Sequence, residues 1–317
     1  MENQPEQITP LPSGINRPYW SVMVPVYNPD ERYLRKALVS ILQQSPGSDR
    51  MQIEVVDDHS PDTDVSAMVA RIGGSRVSYY RSPKNLGLAG GWNTCIQRAQ
   101  GTWVHILHQD DHVLPGFYKR LEQAAEAEPD TGLIASRSFF VDKDDVINGV
   151  TPFLPKMAKS TRAVDAFFYR TPIQCAGVAV RRSFYEKYGG FKKELRYTLD
   201  VERWSKAVAQ MGGVVVPEVL SNYRMNVGSE TGRLSRSGET LRDYDRLNTI
   251  FAKEYPGFDR AKADRYLLKM AREMVHRYAL SNDQEAMEVH RTFLHERTSL
   301  WHRVRLALAN RLRVSVE

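Results

Sequence analysis

The stretch TWVHILHQDDHVLPGFY, residues 102–118, decides the fold. Its first six residues form a largely apolar run of strand length. The run stops on HQDD, and after Pro115 a helical spacing follows at Phe117, Leu121 and Ala124. A strand that ends on charged residues and passes into a helix is the repeating unit of a parallel sheet with crossover helices.

The same unit recurs upstream. WSVMVPVY (20–27) reads as a buried strand, followed by Tyr33, Leu34, Ala37, Leu38, Ile41 and Leu42 at helical spacing. IEVV (53–56) is a second strand and leads into Asp57, Asp58, His59 and Ser60. Asp62 or Thr63 is placed to cap the next helix, whose face is Val65, Met68, Val69 and Ile72. RVSYY (76–80) is a third strand, and a helix over 88–100 is entered through Gly90 and Gly91. Downstream, GLIAS (132–136) and CAGVAV (175–180) read as strands. RRSFYEKYGGF (181–191) reads as a short helix closed by Gly189 and Gly190, residues 199–211 as a helix, and VVVP (214–217) as a short strand. From about 236 the pattern is helical to the end. The fold class is therefore α/β: a Rossmann-type mixed, mainly parallel sheet flanked by helices, with a C-terminal helical extension. Three regions are expected: a flexible segment over 1–17, rich in Pro and polar residues, a main domain over 18–235, and a helical region over 236–317.

Composition narrows the class. With 42% hydrophobic and 26% charged residues the chain suits a globular protein that needs no staple. Cys95 and Cys175 have no metal-like spacing and make no disulfide framework, which fits a reducing compartment. No secretory leader pattern and no apolar run of about 18 residues occurs, so a cytoplasmic protein is expected. The net charge of +6 is uneven: Arg291, Arg297, Arg303, Arg305, Arg311 and Arg313 crowd the end. No stacking platform or recognised module accompanies them, so nucleic acid is not an expected partner.

The chemistry-bearing residues fall where ligands bind such sheets, at the carboxyl ends of strands. Asp110 and Asp111 end one strand, and adjacent carboxylates suit a divalent cation with hard oxygen ligands as well as they suit a solvated turn. Asp57 and Asp58 end another, where a carboxylate can accept hydrogen bonds from a base or a ribose; helix capping explains their neighbours. NLGLAGGWN (85–93) is Gly-rich without Walker spacing. Asp200 and Glu202 open a helix, where acidic side chains are favoured by the dipole and where a general base can also sit.

These pieces, in this order from about Tyr19 to Ser229, resemble the family 2 glycosyltransferases, which have the GT-A fold. SVMVPVYN is similar to the family's opening strand and VVDDHSPDTD to its acidic nucleotide-binding segment. NLGLAGGWN resembles its Asn-Gly loop and HILHQDDHVLPGFY its metal-binding segment. CAGVAVRRSFYEKYGGF is similar to its acceptor-side strand and helix, LDVERW to the segment that holds its base, and NYRMNVGS to a late Tyr-Arg segment. The resemblance implies that Pro25, Tyr27, Asn28, Asp57, Asp58, Asn85 and Asp110 bind the nucleotide and that Tyr223 and Arg224 lie near the diphosphate. It implies that Asp111, with Asp110, holds Mn²⁺ or Mg²⁺, and that Asp200 is the catalytic base. Three positions depart from the family pattern: His108 for an acidic residue, Leu199 for Glu, and Asn226 for His. The activity implied is inverting transfer from a UDP- or dTDP-sugar to a saccharide or lipid-linked acceptor in bacterial surface polysaccharide synthesis. A non-catalytic nucleotide-sugar-binding scaffold and a sugar nucleotidyltransferase are the alternatives. Acceptor contacts are expected in 140–172 and 225–240. In 299–314 Leu300, Trp301, Val304, Leu308 and Leu312 share a helical face with arginines mostly off it. That pattern suits either peripheral contact with the inner face of the cell membrane or packing within the domain or a homodimer.

Overall fold

The computed structural model describes residues 5–152, 156–157, 164, 173–225 and 230–313, without the side chains of 156–157 and 299–313. In chain order the strands are β1 (Trp20–Val26), β2 (Met51–Asp57), β3 (Ser78–Arg81), β4 (Trp103–Ile106), β5 (His112–Val113), β6 (Leu133–Val141), β7 (Ile147–Val150), β8 (Lys156–Met157), β9 (Val178–Arg181) and β10 (Gly213–Arg224). The helices are α1 (Glu31–Leu42), α2 (Val65–Gly73), α3 (Gly87–Arg98), α4 (Phe117–Ala127), α5 (Arg182–Tyr188), α6 (Leu199–Met211), α7 (Glu230–Arg236), α8 (Glu239–Glu254), α9 (Arg260–Leu280) and α10 (Gln284–Arg313).

One mixed sheet runs in the order β3-β2-β1-β4-β9-β6-β10-β5, with β7 on β6 and β8 on β10. Strands β1 to β4 are mutually parallel, and β10 is parallel to β6. Between these two groups β9 runs antiparallel to both β4 and β6. The carboxyl ends of β3, β2, β1, β4, β6 and β10 therefore share one rim, which places Asp57, the HQDD segment and Arg224 on the same side.

Burial on both faces explains why β1 is almost continuously apolar. Its alternate residues Trp20, Val22, Val24 and Val26 enter a cluster with Leu34, Ala37, Leu38 and Ile41 of α1, Val65 and Val69 of α2, and Phe117 and Leu121 of α4. Helix α3 packs on β1, β2 and β4 and buries Trp92, Cys95 and Ile96. The chain leaves α3 through Gly101, whose N–H donates to Ser21 Oγ at 2.7 Å. A Cβ there would stand 2.6 Å from the Ser21 nitrogen and from the Trp20 carbonyl carbon.

Several local expectations change. Helix α2 is capped by Asp64, whose side chain accepts from Ala67 N, and not by Asp62 or Thr63. Residues 175–177 form a 3₁₀ turn, so β9 begins only at Val178. Strand β10 does not stop at Pro217. Its register on β6 shifts between Val216 and Val219, and the strand continues to Arg224, because Pro217 sits in the bulge, where no ladder hydrogen bond asks for the N–H that it lacks. Residues 5–17, expected to be flexible, are fastened at several points. Ile8 is 1% exposed, Gly190 N donates to Glu6 O at 2.8 Å, and Arg182 Nη2 donates to Thr9 O at 3.0 Å.

The chain divides into two compact units, Met1–Asn226 and Val227–Glu317, nine residues before the expected boundary. In the second, Leu241, Tyr244, Leu247 and Phe251 form the buried face of α8. Helix α9 packs on both α8 and α10 through Ala263, Leu267, Ala271 and Met274. Among the described residues no helix is long and apolar enough to cross a membrane. Of the sequence expectations, residues 153–155, 158–163, 165–172 and 226–229, with Asn226, lie outside the described residues, as do the side chains of 299–314.

Gly101→Ala forces a methyl group into backbone and is expected to cost about 1–3 kcal/mol. Urea unfolding of the two proteins measures it; an unchanged midpoint would mean that the β1–β4 edge can spread without cost.

Candidate active site

The rim is built by three loops that hold one another. After β1, Asn28 adopts φ 43°, a left-handed conformation that Asn tolerates better than most residues. Its N–H donates to Ser60 Oγ at 2.9 Å, and its Nδ2 donates to Asp62 Oδ2 at 3.2 Å. Tyr27 N donates to Gln109 Oε1 at 2.8 Å. The loops after β1, β2 and β4 are thus joined before any ligand arrives. Tyr27 itself is 47% exposed and Pro25 is half-buried at the strand end.

Asp57 turns inward. It is fully buried, and one oxygen accepts from Ser60 N and Ser60 Oγ at 2.8 and 2.6 Å. The other accepts from Tyr79 Oη at 2.8 Å, with Arg81 at 3.6 Å. The carboxylate of Asp57 thus closes the β2 loop from within. Burial, then the bond to Asp57, pushes the Tyr79 hydroxyl up to about 12, so it donates at neutral pH. Asp58 accepts from the N–H groups of Leu86 and Gly87 at 2.8 and 2.9 Å, at the start of α3. Burial raises its pKa, and those two amides offset part of the rise. Asn85 is exposed, and its Oδ1 accepts from Gly87 N at 3.0 Å. The Gly-rich segment is thus anchored by Asp58 and Asn85.

Asp111 is 1% exposed. Its Oδ1 accepts from Arg224 N at 2.8 Å, whereas its Oδ2 is buried with no hydrogen-bond partner. Burial, then the neighbouring charge of Asp110, pushes its carboxyl well above the usual range. His108 Nδ1 stands 3.7 Å from that free oxygen, and its ring lies against Trp92 with centroids 4.9 Å apart. Burial lowers the His108 pKa and keeps it neutral, so it supplies no charge to pair Asp111. Asp110 is partly exposed. An orphaned carboxylate oxygen beside a second carboxylate fits a divalent cation. Among the described residues no three His, Cys, Asp or Glu side chains cluster closely enough to hold a metal alone.

Arg224 does not reach outward as expected. Its side chain is fully enclosed, donating from Nε to Asp110 O at 2.9 Å and from Nη2 to Asp145 Oδ1 at 2.6 Å. A third bond runs to Asp142 O, and the guanidinium lies 4.3 Å from the Tyr33 ring centroid. These bonds brace the Asp110–Asp111 segment. Tyr223, the other half of the late segment, packs edge-on against Phe140.

The two acidic residues at the start of α6 separate cleanly. Glu202 is 1% exposed and pairs with Arg203 and with Lys192 at 3.7 Å, a structural charge cluster. Asp200 is half-buried, with Oδ2 4.0 Å from Cys175 Sγ. Burial first, then the charges of Asp200 and Asp111, push the Cys175 thiol up. Cys175 precedes β9, whose start lies at the carboxyl ends of β4 and β6, so Asp200 stands on the same rim as Asp111, 89 positions away in the chain. Sequence reasoning missed Gln109 and Tyr79, and took Ser60 for a helix cap where it bonds Asn28 and Asp57 instead. Only their partners identify them, since polar residues beside an acidic motif are common.

Comparison with known proteins gives the family. Residues 21–189 match the model of Glycosyl transferase family 2. A glycosyltransferase of Methanocaldococcus jannaschii is 23% identical over 67% of this chain and 72% of that one. The succinoglycan biosynthesis protein ExoO of Rhizobium meliloti is 32% identical over 43% of this chain and 36% of that one. Among solved structures, TarS of S. aureus in complex with UDP-GlcNAc superposes with a TM-score of 0.61 over 79% of this chain and 70% of that one. At 15% identity that likeness speaks for the GT-A fold alone. The family match spans more than half the chain and takes in the loops after β1, β2 and β4: the protein belongs to glycosyl transferase family 2 and is a glycosyltransferase.

Proposed function

We propose that the chain is an inverting, metal-dependent glycosyltransferase that moves a sugar from a UDP- or dTDP-sugar to a saccharide or lipid-linked acceptor in bacterial surface polysaccharide synthesis. The observation that carries this reading is the buried, unpartnered Oδ2 of Asp111, set beside Asp110 and on the same rim as Asp200. The relatives support its outer terms: TarS was solved with UDP-GlcNAc, and ExoO is a succinoglycan biosynthesis protein.

Asp111 and Asp110 would hold Mn²⁺ or Mg²⁺, with the donor diphosphate completing the ligand set. When bound, that ion supplies positive charge to the leaving diphosphate. Arg224 keeps Asp111 in place through its backbone N–H and holds Asp110 by its carbonyl. Asp200 takes the proton from the acceptor hydroxyl as it attacks the anomeric carbon from the face opposite the diphosphate. Carboxylates are ionised at neutral pH, so this base needs placement more than activation. Single displacement inverts the anomeric configuration.

UDP with Mn²⁺ is expected to raise the melting temperature of the wild type, and Asp111→Ala is expected to abolish the rise. A rise of equal size in the variant would remove Asp111 from the site. Asp200→Asn is expected to keep the rise while turnover falls by roughly 10²–10⁴-fold; full turnover would exclude it as base. Asp111 titrates above the ordinary carboxylate range, so below its pKa a proton competes with the cation. The Mn²⁺-dependent rise should therefore shrink as pH falls. In the absence of cation the folded state holds the extra proton, so this group makes stability decline as pH rises from the ordinary carboxylate range. Melting curves across pH, with and without Mn²⁺, check both signs. A pH-independent rise would deny that Asp111 binds the ion.

A further inference from the structure

The outward face of α9 carries a charge pattern that the transfer reaction does not use. Lys262, Arg265, Lys269, Arg272 and His276 are all exposed. Their spacing of three, four, three and four residues stacks them on one side of the helix over about 21 Å. They lie opposite Ala263, Leu267, Ala271 and Met274, which bury the inner face. Among the described residues Arg265 and Arg272 have no acidic partner, and the acidic residue on this face, Glu273, is exposed and 3.7 Å from Lys269. One turn beyond His276 the same face ends in Leu280, an apolar side chain left 76% exposed.

A straight row of cations has no concavity to enclose a small ligand. It matches an extended, planar, negatively charged surface. A polynucleotide would call for aromatic platforms between the charges, and the two tyrosines of α9 nearby, Tyr266 and Tyr278, are half-buried. A bilayer with anionic headgroups needs none, and an exposed leucine at the end of the row suits its interface.

We propose that this face of α9 docks the protein on an anionic lipid bilayer through Lys262, Arg265, Lys269 and Arg272, with Leu280 entering the headgroup layer. This surface is separate from residues 299–314 and is independent of the donor and metal chemistry.

Flotation of the full chain with two vesicle types tests it: phosphatidylcholine alone, and phosphatidylcholine mixed with phosphatidylglycerol. Binding is expected to the mixed vesicles only, and to be lost at ~1 M salt, where screening reaches about 3 Å. The triple variant Arg265→Gln/Lys269→Gln/Arg272→Gln is expected to stay in the unbound fraction with an unchanged melting temperature. Each single substitution, tested in case the triple variant folds poorly, should lower partitioning by about fivefold. The proposal is overturned if the wild type ignores anionic vesicles. It is equally overturned if the single variants float as well as the wild type, which places the contact elsewhere. Retention of duplex DNA at physiological salt without vesicle binding would replace the lipid surface by a polynucleotide.

Discussion

The bond from Arg224 N to Asp111 Oδ1 ties the far half of the sheet to the near half at the point where chemistry is expected. Arg224 ends β10, and Asp111 lies beyond the end of β4. A buried carboxylate is costly unless its oxygens are satisfied. One oxygen of Asp111 is satisfied by this amide and the other is left bare. The guanidinium of the same arginine then secures the Asp110 carbonyl and the turn at Asp142–Asp145. Hydrogen bonds to charged groups contribute about 1.5–3 kcal/mol each. Together these bonds offset part of the cost of burying the Asp111 carboxylate.

The paired aspartates after β2 show that one sequence signal can hide two roles. Asp57 and Asp58 read alike, yet they hold different parts of the protein. Asp57 is the internal acceptor that shapes its own loop. Asp58 reaches across to the first turn of α3, where free amides and the positive end of the helix dipole favour an anion. Together they fix the Gly-rich entry of α3 relative to the β2 loop. The rim is in this way pre-organised by acidic residues that remain within the protein.

Outside the rim, two segments that look unremarkable as sequence gain defined positions. Residues 5–9 lie against α3 and α5 through backbone hydrogen bonds and the buried Ile8. In the second unit, α9 keeps small residues inward and a row of cations outward, so one helix serves as core and as charged surface.

Read alone, the sequence established the alternation of strands and helices, the strand ends that carry acidic residues, and the helical nature of most of residues 236–313. These depend on hydrophobic periodicity and local propensity, which neighbouring residues dictate. The family was also legible, because its motifs occur in order. Only the tertiary structure decided that β9 intrudes antiparallel between β4 and β6, and that β10 passes Pro217 through a bulge. It alone separated Asp200 from Glu202 and turned Arg224 and Asp57 inward. The physical reason is that the role of a charged side chain is set by which donors and acceptors the fold brings within about 3 Å of it. Partners such as Asp111 and Arg224, 113 positions apart, are invisible to any local pattern.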